Sequence, residues 1–159
     1  MKALSNHIST IEKYLAIVLM FAMAVIVALA VLFRYVLNAP LSWAGEVSVF
    51  LLIWVSFIGG SLGLKYKSQA AVTIIIDYVS ARAKRIIAII AHLLMLLFLI
   101  LLLYYSYTWV LSPGVAFQRS SAILLPMWIP FSAVPIGLTF AGIHLLSNLV
   151  DLFREEDVQ

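Results

Sequence analysis

The chain has 159 residues, of which 65% are hydrophobic and 11% charged, with a formal net charge of +3. A soluble domain carries roughly 25% charged residues, and a chain this small buries only about two-thirds of the surface it exposes unfolded, so water is the wrong solvent for most of it. The small charge gives no footprint for nucleic acid, and the absence of cysteine removes disulfides, thiolate metal sites and iron–sulfur ligation.

Four stretches lack Asp, Glu, Lys and Arg: Tyr14–Phe33, Val47–Leu64, Ile86–Gln118 and Ser120–Val150. Each reaches the roughly 18–20 residues that a helix needs to cross a bilayer, whereas a membrane barrel would alternate polar and apolar residues in segments of about 10. The pattern predicts an all-α integral membrane protein of one domain, with spans at about 14–36, 44–64, 86–108 and 128–150.

Ahead of span one, Leu4, Ile8, Ile11 and Leu15 share one helical face, with Ser5, Asn6 and Lys13 elsewhere, so residues 3–13 read as an interfacial amphipathic helix. Ala28-Leu29-Ala30 resembles a signal-peptide cleavage site. The apolar run is longer than the usual 7–15 residues of such a peptide, which favours an uncleaved span. Arg34 ends this span at the outer boundary.

Span two opens with Ser42 as a candidate N-cap, Trp43 as an interfacial anchor and Glu46 in the first turn, where its charge suits the helix dipole. Within it, Ser56, Gly59, Gly60 and Gly63 put small side chains at four-residue spacing. Such residues let helix backbones approach closely in lipid, either inside the chain or against another subunit. Between spans two and three, Val72, Ile75, Ile76 and Val79 form a second amphipathic stripe, giving an interfacial segment at about 70–85.

Span three ends in the aromatic cluster Tyr104, Tyr105, Tyr107 and Trp109. Arg119 follows on the same outer side, and Trp128 marks the start of span four; rings of this kind suit the headgroup region. Pro126, Pro130 and Pro135 predict an extended or kinked approach to span four. Ala133, Gly137 and Ala141 repeat the small-residue spacing there. Eight basic residues (Lys2, Lys13, Lys65, Lys67, Arg82, Lys84, Arg85 and Arg154) fall on the side of the termini and two, Arg34 and Arg119, on the other, which places both termini in the cytoplasm.

The spans hold no Asp, Glu, Lys or Arg in their central portions, so nothing marks an ion or substrate path. His92 and His144 lie at equal depth, roughly 9 Å inside spans three and four. That depth is compatible with bis-histidine haem ligation in a membrane redox subunit and equally with two buried, hydrogen-bonded imidazoles. A small self-contained exporter is a third class, weakened by the missing membrane carboxylate.

Two stretches carry a resemblance. Arg34-Tyr35-Val36-Leu37-Asn38-Ala39-Pro40-Leu41-Ser42-Trp43-Ala44-Gly45-Glu46, together with Leu125-Pro126-Met127-Trp128-Ile129-Pro130-Phe131 before Pro135-Ile136-Gly137, resembles the small permease subunit of TRAP transporters, the DctQ-like family. Gly45 stands where that family usually has a first acid before Glu46, and Val49, Gln69 and Thr73 replace other polar positions. The resemblance implies a non-enzymatic subunit of the bacterial inner membrane, without cofactor or metal, embedded among membrane lipids. Its implied partners are a large multi-span permease subunit, which carries the sodium and substrate sites and moves as an elevator, and a periplasmic protein that delivers an organic acid. Ser56, Gly59, Gly60, Gly63, Ala133, Gly137 and Ala141 are then packing or partner positions. Arg34, Glu46 and Arg119 are candidate periplasmic contacts, and Trp43, Trp109 and Trp128 are membrane-interface anchors.

Overall fold

The computed structural model describes residues 1–66 and 81–154. Its first helix, α1, runs unbroken from Lys2 to Tyr35. No glycine or proline interrupts these 34 residues, and at 1.5 Å per residue they extend about 50 Å, well beyond a hydrocarbon core of about 30 Å. The amphipathic segment at 3–13 is therefore the first three turns of α1. Its polar stripe faces inward: Ser5, Ser9 and Glu12 are buried, while Leu4 and Ile11 point out. The helix stops where Asn38 turns to a φ of 50°, the left-handed conformation that asparagine tolerates after a helix end, and Pro40 follows.

α2 spans Ala44–Lys65, with Trp43 in the capping position and no side-chain cap, so the expected Ser42 cap does not form. Backbone bonds from Ala44 N–H to Leu41 and from Val47 N–H to Trp43 tighten this end instead. α3 runs Ala81–Val110. The amphipathic segment expected at about 70–85 lies mostly outside the described residues, as do Lys67, Gln69 and Thr73. Ser112 and Pro113 start a short helix, α4 (Pro113–Phe117), where proline is pre-set for the first helical position.

Residues 118–127 then double back as a tight hairpin, with Met127 N–H donating to Gln118 O at 3.0 Å and Ser120 N–H to Leu125 O at 2.9 Å. A single turn, α5 (Trp128–Phe131), leads into α6 (Ala133–Arg154). The three prolines do kink this approach: Pro126 closes the hairpin, Pro130 sits in α5, and Pro135 falls in the first turn of α6, where its missing N–H is harmless.

The helices form a single layer in the order α1, α2, α6, α3. α1 packs on α2, α2 on α6 and α6 on α3, leaving α1 and α3 as edges. Among the described residues, four helices are long and apolar enough to cross a membrane. The packing core is thin and centred on the α2–α6 contact, with Ile58, Ala133, Ala141 and Leu145 buried. Lys2 pairs with Asp151 at 3.2 Å, so the first and last described turns share one end of the layer, here called the terminal end.

The small residues of span four sit inside the chain. A Cβ on Gly137 would lie 2.7 Å from Phe57 Cβ and 3.1 Å from the Phe57 backbone, so α6 crosses α2 at a point that only glycine fits. Ala133 and Ala141 flank it, buried on the same face. Thr139 donates to Pro135 O at 2.7 Å, which directs the Tyr107 hydroxyl onto Thr139 Oγ1 at 3.1 Å and ties α3 to α6. Gly137→Ala should lower stability by about 1–3 kcal/mol, because the backbone of Phe57 cannot yield as a side chain would. Gly59→Ala, whose Cβ meets nothing within 4 Å, should leave the melting temperature of the isolated chain in detergent unchanged or raised.

Candidate functional site

Three features of the layer carry polar chemistry or unpaired surface. The first is a buried chain of hydrogen bonds at the terminal end. Ser5, Ser9 and Glu12 recur at helical spacing on α1 and are buried, Ser5 against Lys65 of α2 and His144 of α6, and Glu12 against His144. Lys65 Nζ donates to Ser5 Oγ and to Asn6 Oδ1, both at 2.6 Å. Ser5 Oγ, which accepts from Lys65, lies 2.8 Å from His144 Nδ1. The other ring nitrogen, Nε2, lies 2.7 Å from Glu12 Oε2. The contacts run in order from Lys65 through Ser5 and His144 to Glu12, and both ring nitrogens are engaged. Glu12 and His144 are both 0% exposed. Beside the chain, Asn148 donates to Leu64 O at 3.0 Å, and Lys13 lies 5.1 Å from the ring centroid of Tyr66.

A serine–histidine–carboxylate order also occurs in acyl-transfer triads. Here Ser5 is buried and its oxygen accepts from Lys65, so the arrangement ties α1 to α2 and α6. Both ring nitrogens of His144 are engaged within the chain, which leaves it no lone pair for the haem ligation considered above, whereas His92 engages only Nδ1, 2.8 Å from Ala88 O. Glu12, which precedes the span expected at about 14–36, is a buried carboxylate near the terminal end of α1. The signal that could have found it is the inward phase of Ser5, Ser9 and Glu12, opposite the apolar stripe, together with a histidine at matching depth.

The second feature is a clamp at the opposite end. Glu46 accepts from Ser121 N–H at 2.8 Å and from Ala122 N–H at 2.9 Å, one carboxylate oxygen for each. Ser120 Oγ accepts from Leu125 N–H at 3.1 Å, and Leu124 takes a φ of 55°, unusual for a branched apolar residue. Ile123 and Leu125 dip beside α2 and close one end of an open apolar groove of about 450 Å³, which Leu19, Phe50 and Trp54 also line. Irregular backbone at a membrane boundary needs its N–H groups satisfied, and Glu46 does that. Its first-turn position thus serves the hairpin as well as its own helix. Arg34 and Arg119 are not drawn into this clamp: Arg34 lies over Tyr35 at 5.7 Å, and Arg119 is exposed in a bridge with Pro126. Trp109 packs against Phe131 with centroids 4.7 Å apart and is half-exposed, as is Trp128, while Trp43 is half-buried at the start of α2.

The third feature is the outward face of α2. Gly45, Val49, Leu52, Ser56 and Gly59 are exposed in one row at 4-3-4-3 spacing, with Gly60 beside it. A Cβ on Gly45, Gly59 or Gly60 would meet nothing within 4 Å. Gly63, one turn further, is half-buried. The structure therefore divides the seven small positions: those of α6 pack within the chain, and Ser56, Gly59 and Gly60 face out. The outward faces of α1 and α3 carry large residues such as Phe21, Val18, Leu97 and Phe98.

Comparison with known proteins places these features in a family context. The family described as "Tripartite ATP-independent periplasmic transporters, DctQ component" matches residues 23–155. The C4-dicarboxylate TRAP transporter small permease protein DctQ of Vibrio cholerae is 28% identical, over 86% of this chain and 68% of its own length. A putative TRAP transporter small permease protein of Haemophilus influenzae is 27% identical over 98% of both chains. The isethionate TRAP transporter permease protein DctMQ of Oleidesulfovibrio alaskensis is 28% identical over 90% of this chain, which covers 24% of that longer protein.

Two substitutions test the polar features. Glu12→Ala removes the acceptor facing a buried imidazole nitrogen and should cost about 1–3 kcal/mol, read as a drop in melting temperature in detergent. Glu46→Gln aims an amide NH₂ at one of the two hairpin N–H groups. Faster hydrogen exchange at Ser121 and Ala122 should follow, with the helices unaffected.

Proposed function

We propose a scaffold role for this chain, which belongs to the family of DctQ components of tripartite ATP-independent periplasmic transporters and is a small permease subunit of such a system. In this reading it lies in the bacterial inner membrane with both termini in the cytoplasm. The terminal end carries Lys2, Lys13 and Lys65, as the positive-inside rule requires. It binds a large multi-span permease subunit and enlarges the fixed wall against which that subunit's elevator-type transport domain moves. Sodium coupling and the sites for an organic acid reside in the large subunit, and a periplasmic protein delivers the solute to the hairpin end. The chain itself performs no chemistry and needs no cofactor.

The observation that carries this reading is the outward face of α2. Lipid chains gain little from glycine, whereas a second helix gains close backbone contact and van der Waals packing. The 4-3-4-3 row repeats every 3.5 residues on average, which suits a neighbour crossing at about 20°. The DctMQ relative, in which the matching stretch is a quarter of a longer permease chain, supports a larger permease partner. Among the described residues, Glu12 and His144 are sealed and mutually bonded and Glu46 holds a loop, so these three groups are committed within the chain. Solute identity then belongs to the partners.

Gly59→Leu and Gly60→Leu fill the proposed seam without touching the rest of the chain. Each variant should fold and melt as the parent does, yet lose co-purification with the large subunit and lose solute uptake in reconstituted vesicles. Normal assembly and uptake with both variants would remove the case for this face.

A further inference from the structure

The inner end of the buried polar chain is incomplete in its protein contacts. Glu12 Oε2 accepts from His144, but Oε1 of the same carboxylate is buried with no hydrogen-bond partner among the described residues. Ser61 Oγ is in the same condition, and Ser61 is 1% exposed. A buried carboxylate oxygen and a buried hydroxyl are each costly to leave unpaired in a low-dielectric setting.

The two groups belong to facing stripes. Ser5, Ser9 and Glu12 descend one face of α1, and Lys65, Ser61 and Ile58 ascend one face of α2. The Ser5–Lys65 bond fixes the antiparallel register, which sets Ser61 level with Ser9 and Ile58 level with Glu12. From the third side, α6 is pinned to α2 by Gly137 against Phe57 and by Asn148 on Leu64 O, with His144 between them. Glu12 and Ser61 thus lie about one turn apart on facing stripes, beside the space between three helices.

The Ser61 hydroxyl has also declined its easiest partner. A helical serine or threonine readily bonds the carbonyl one turn back, as Ser48 does with Ala44, Thr108 with Tyr104 and Thr139 with Pro135. Ser61 makes no such bond, so its hydroxyl is aimed into the interhelical space.

We propose that this space is a binding site for a single water molecule, which accepts from the Ser61 hydroxyl and donates to Glu12 Oε1. A neutral guest fits the donor set better than a cation. Two unpartnered oxygens satisfy a water, which needs two to four polar contacts, but they are too few to replace the hydration shell of a metal ion. The ammonium of Lys65, at the head of the same chain, further disfavours a second positive charge. With the water in place the polar chain runs from Lys65 through Ser5, His144 and Glu12 back to Ser61, and it joins α1, α6 and α2 in one circuit.

The test is a double-mutant cycle on the purified chain in detergent, combined with a density map fine enough to show ordered water. Ser61→Ala should lower the melting temperature by several degrees in the parent and by much less in a Glu12→Gln background. The parent map should show one density peak in hydrogen-bonding range of both oxygens. Exchange of sodium chloride for choline chloride at equal ionic strength should leave the melting temperature unchanged. Three results would each overturn the proposal: Ser61→Ala as stable as the parent or more so, a map with the serine oxygen directly on the carboxylate, or stabilisation specific to sodium. Ser61→Ala keeps a good helix former, so its reading stands even if Glu12→Gln fails to fold.

Discussion

A bilayer supplies no water to satisfy buried polar groups, and that single constraint orders the whole molecule. In α1 it inverts the amphipathic pattern of a soluble helix: Leu4 and Ile11 face out, while Ser5, Ser9 and Glu12 face in. Those inward groups need partners, and the partners come from two other helices through His144 and Lys65. The hydrogen-bond chain thereby draws α1 toward α6 at the terminal end, although elsewhere α2 lies between them. At the other end the same constraint makes Glu46 the acceptor for a hairpin that would otherwise bring bare N–H groups to the membrane boundary.

Polar locks at both ends leave the middle of the layer to apolar packing, which in lipid is a matter of fit. Gly137 lets α6 sit directly on the backbone of Phe57, and this contact joins the two central helices. A closed bundle would hide the small residues of α2 as well. An open layer does not, and it presents them on one face while large side chains cover α1 and α3. The layer is thus complete along its length and unfinished on one side, as expected for a subunit of a larger permease.

The sequence was informative where physical signals are local. Four apolar runs without charge predicted four spanning helices, and the proline cluster predicted the kinked approach to α6. The family resemblance also rested on local stretches: Arg34–Glu46, which holds the turn into α2 and the clamp, and Leu125–Phe131 before Pro135-Ile136-Gly137, which ends the hairpin and leads through α5 into α6. Non-local pairing was not legible. Nothing in the string tells that Glu12 meets His144, 132 positions away, or that Glu46 reaches Ser121. The helix periodicity of residues 3–13 is legible, but an apolar stripe can lie on a membrane surface or face lipid from within a longer helix, and only the partners of the polar side decide. Likewise, small-residue spacing in two helices looks the same in sequence. Packing separates Gly137, which has a neighbour at 2.7 Å, from Gly59, which has none within 4 Å.

The central claim is that the outward face of α2 is where the large permease subunit sits. The chain contains no cysteine, so single cysteines can be introduced without background. Val49→Cys, Leu52→Cys, Ser56→Cys and Gly59→Cys should each crosslink to a cysteine scanned along one helix of the large subunit in native membranes, with reactive pairs recurring every three to four positions. Phe21→Cys on α1 and Leu97→Cys on α3 should remain uncrosslinked. Crosslinks from Phe21→Cys or Leu97→Cys with none from the α2 row would contradict the account.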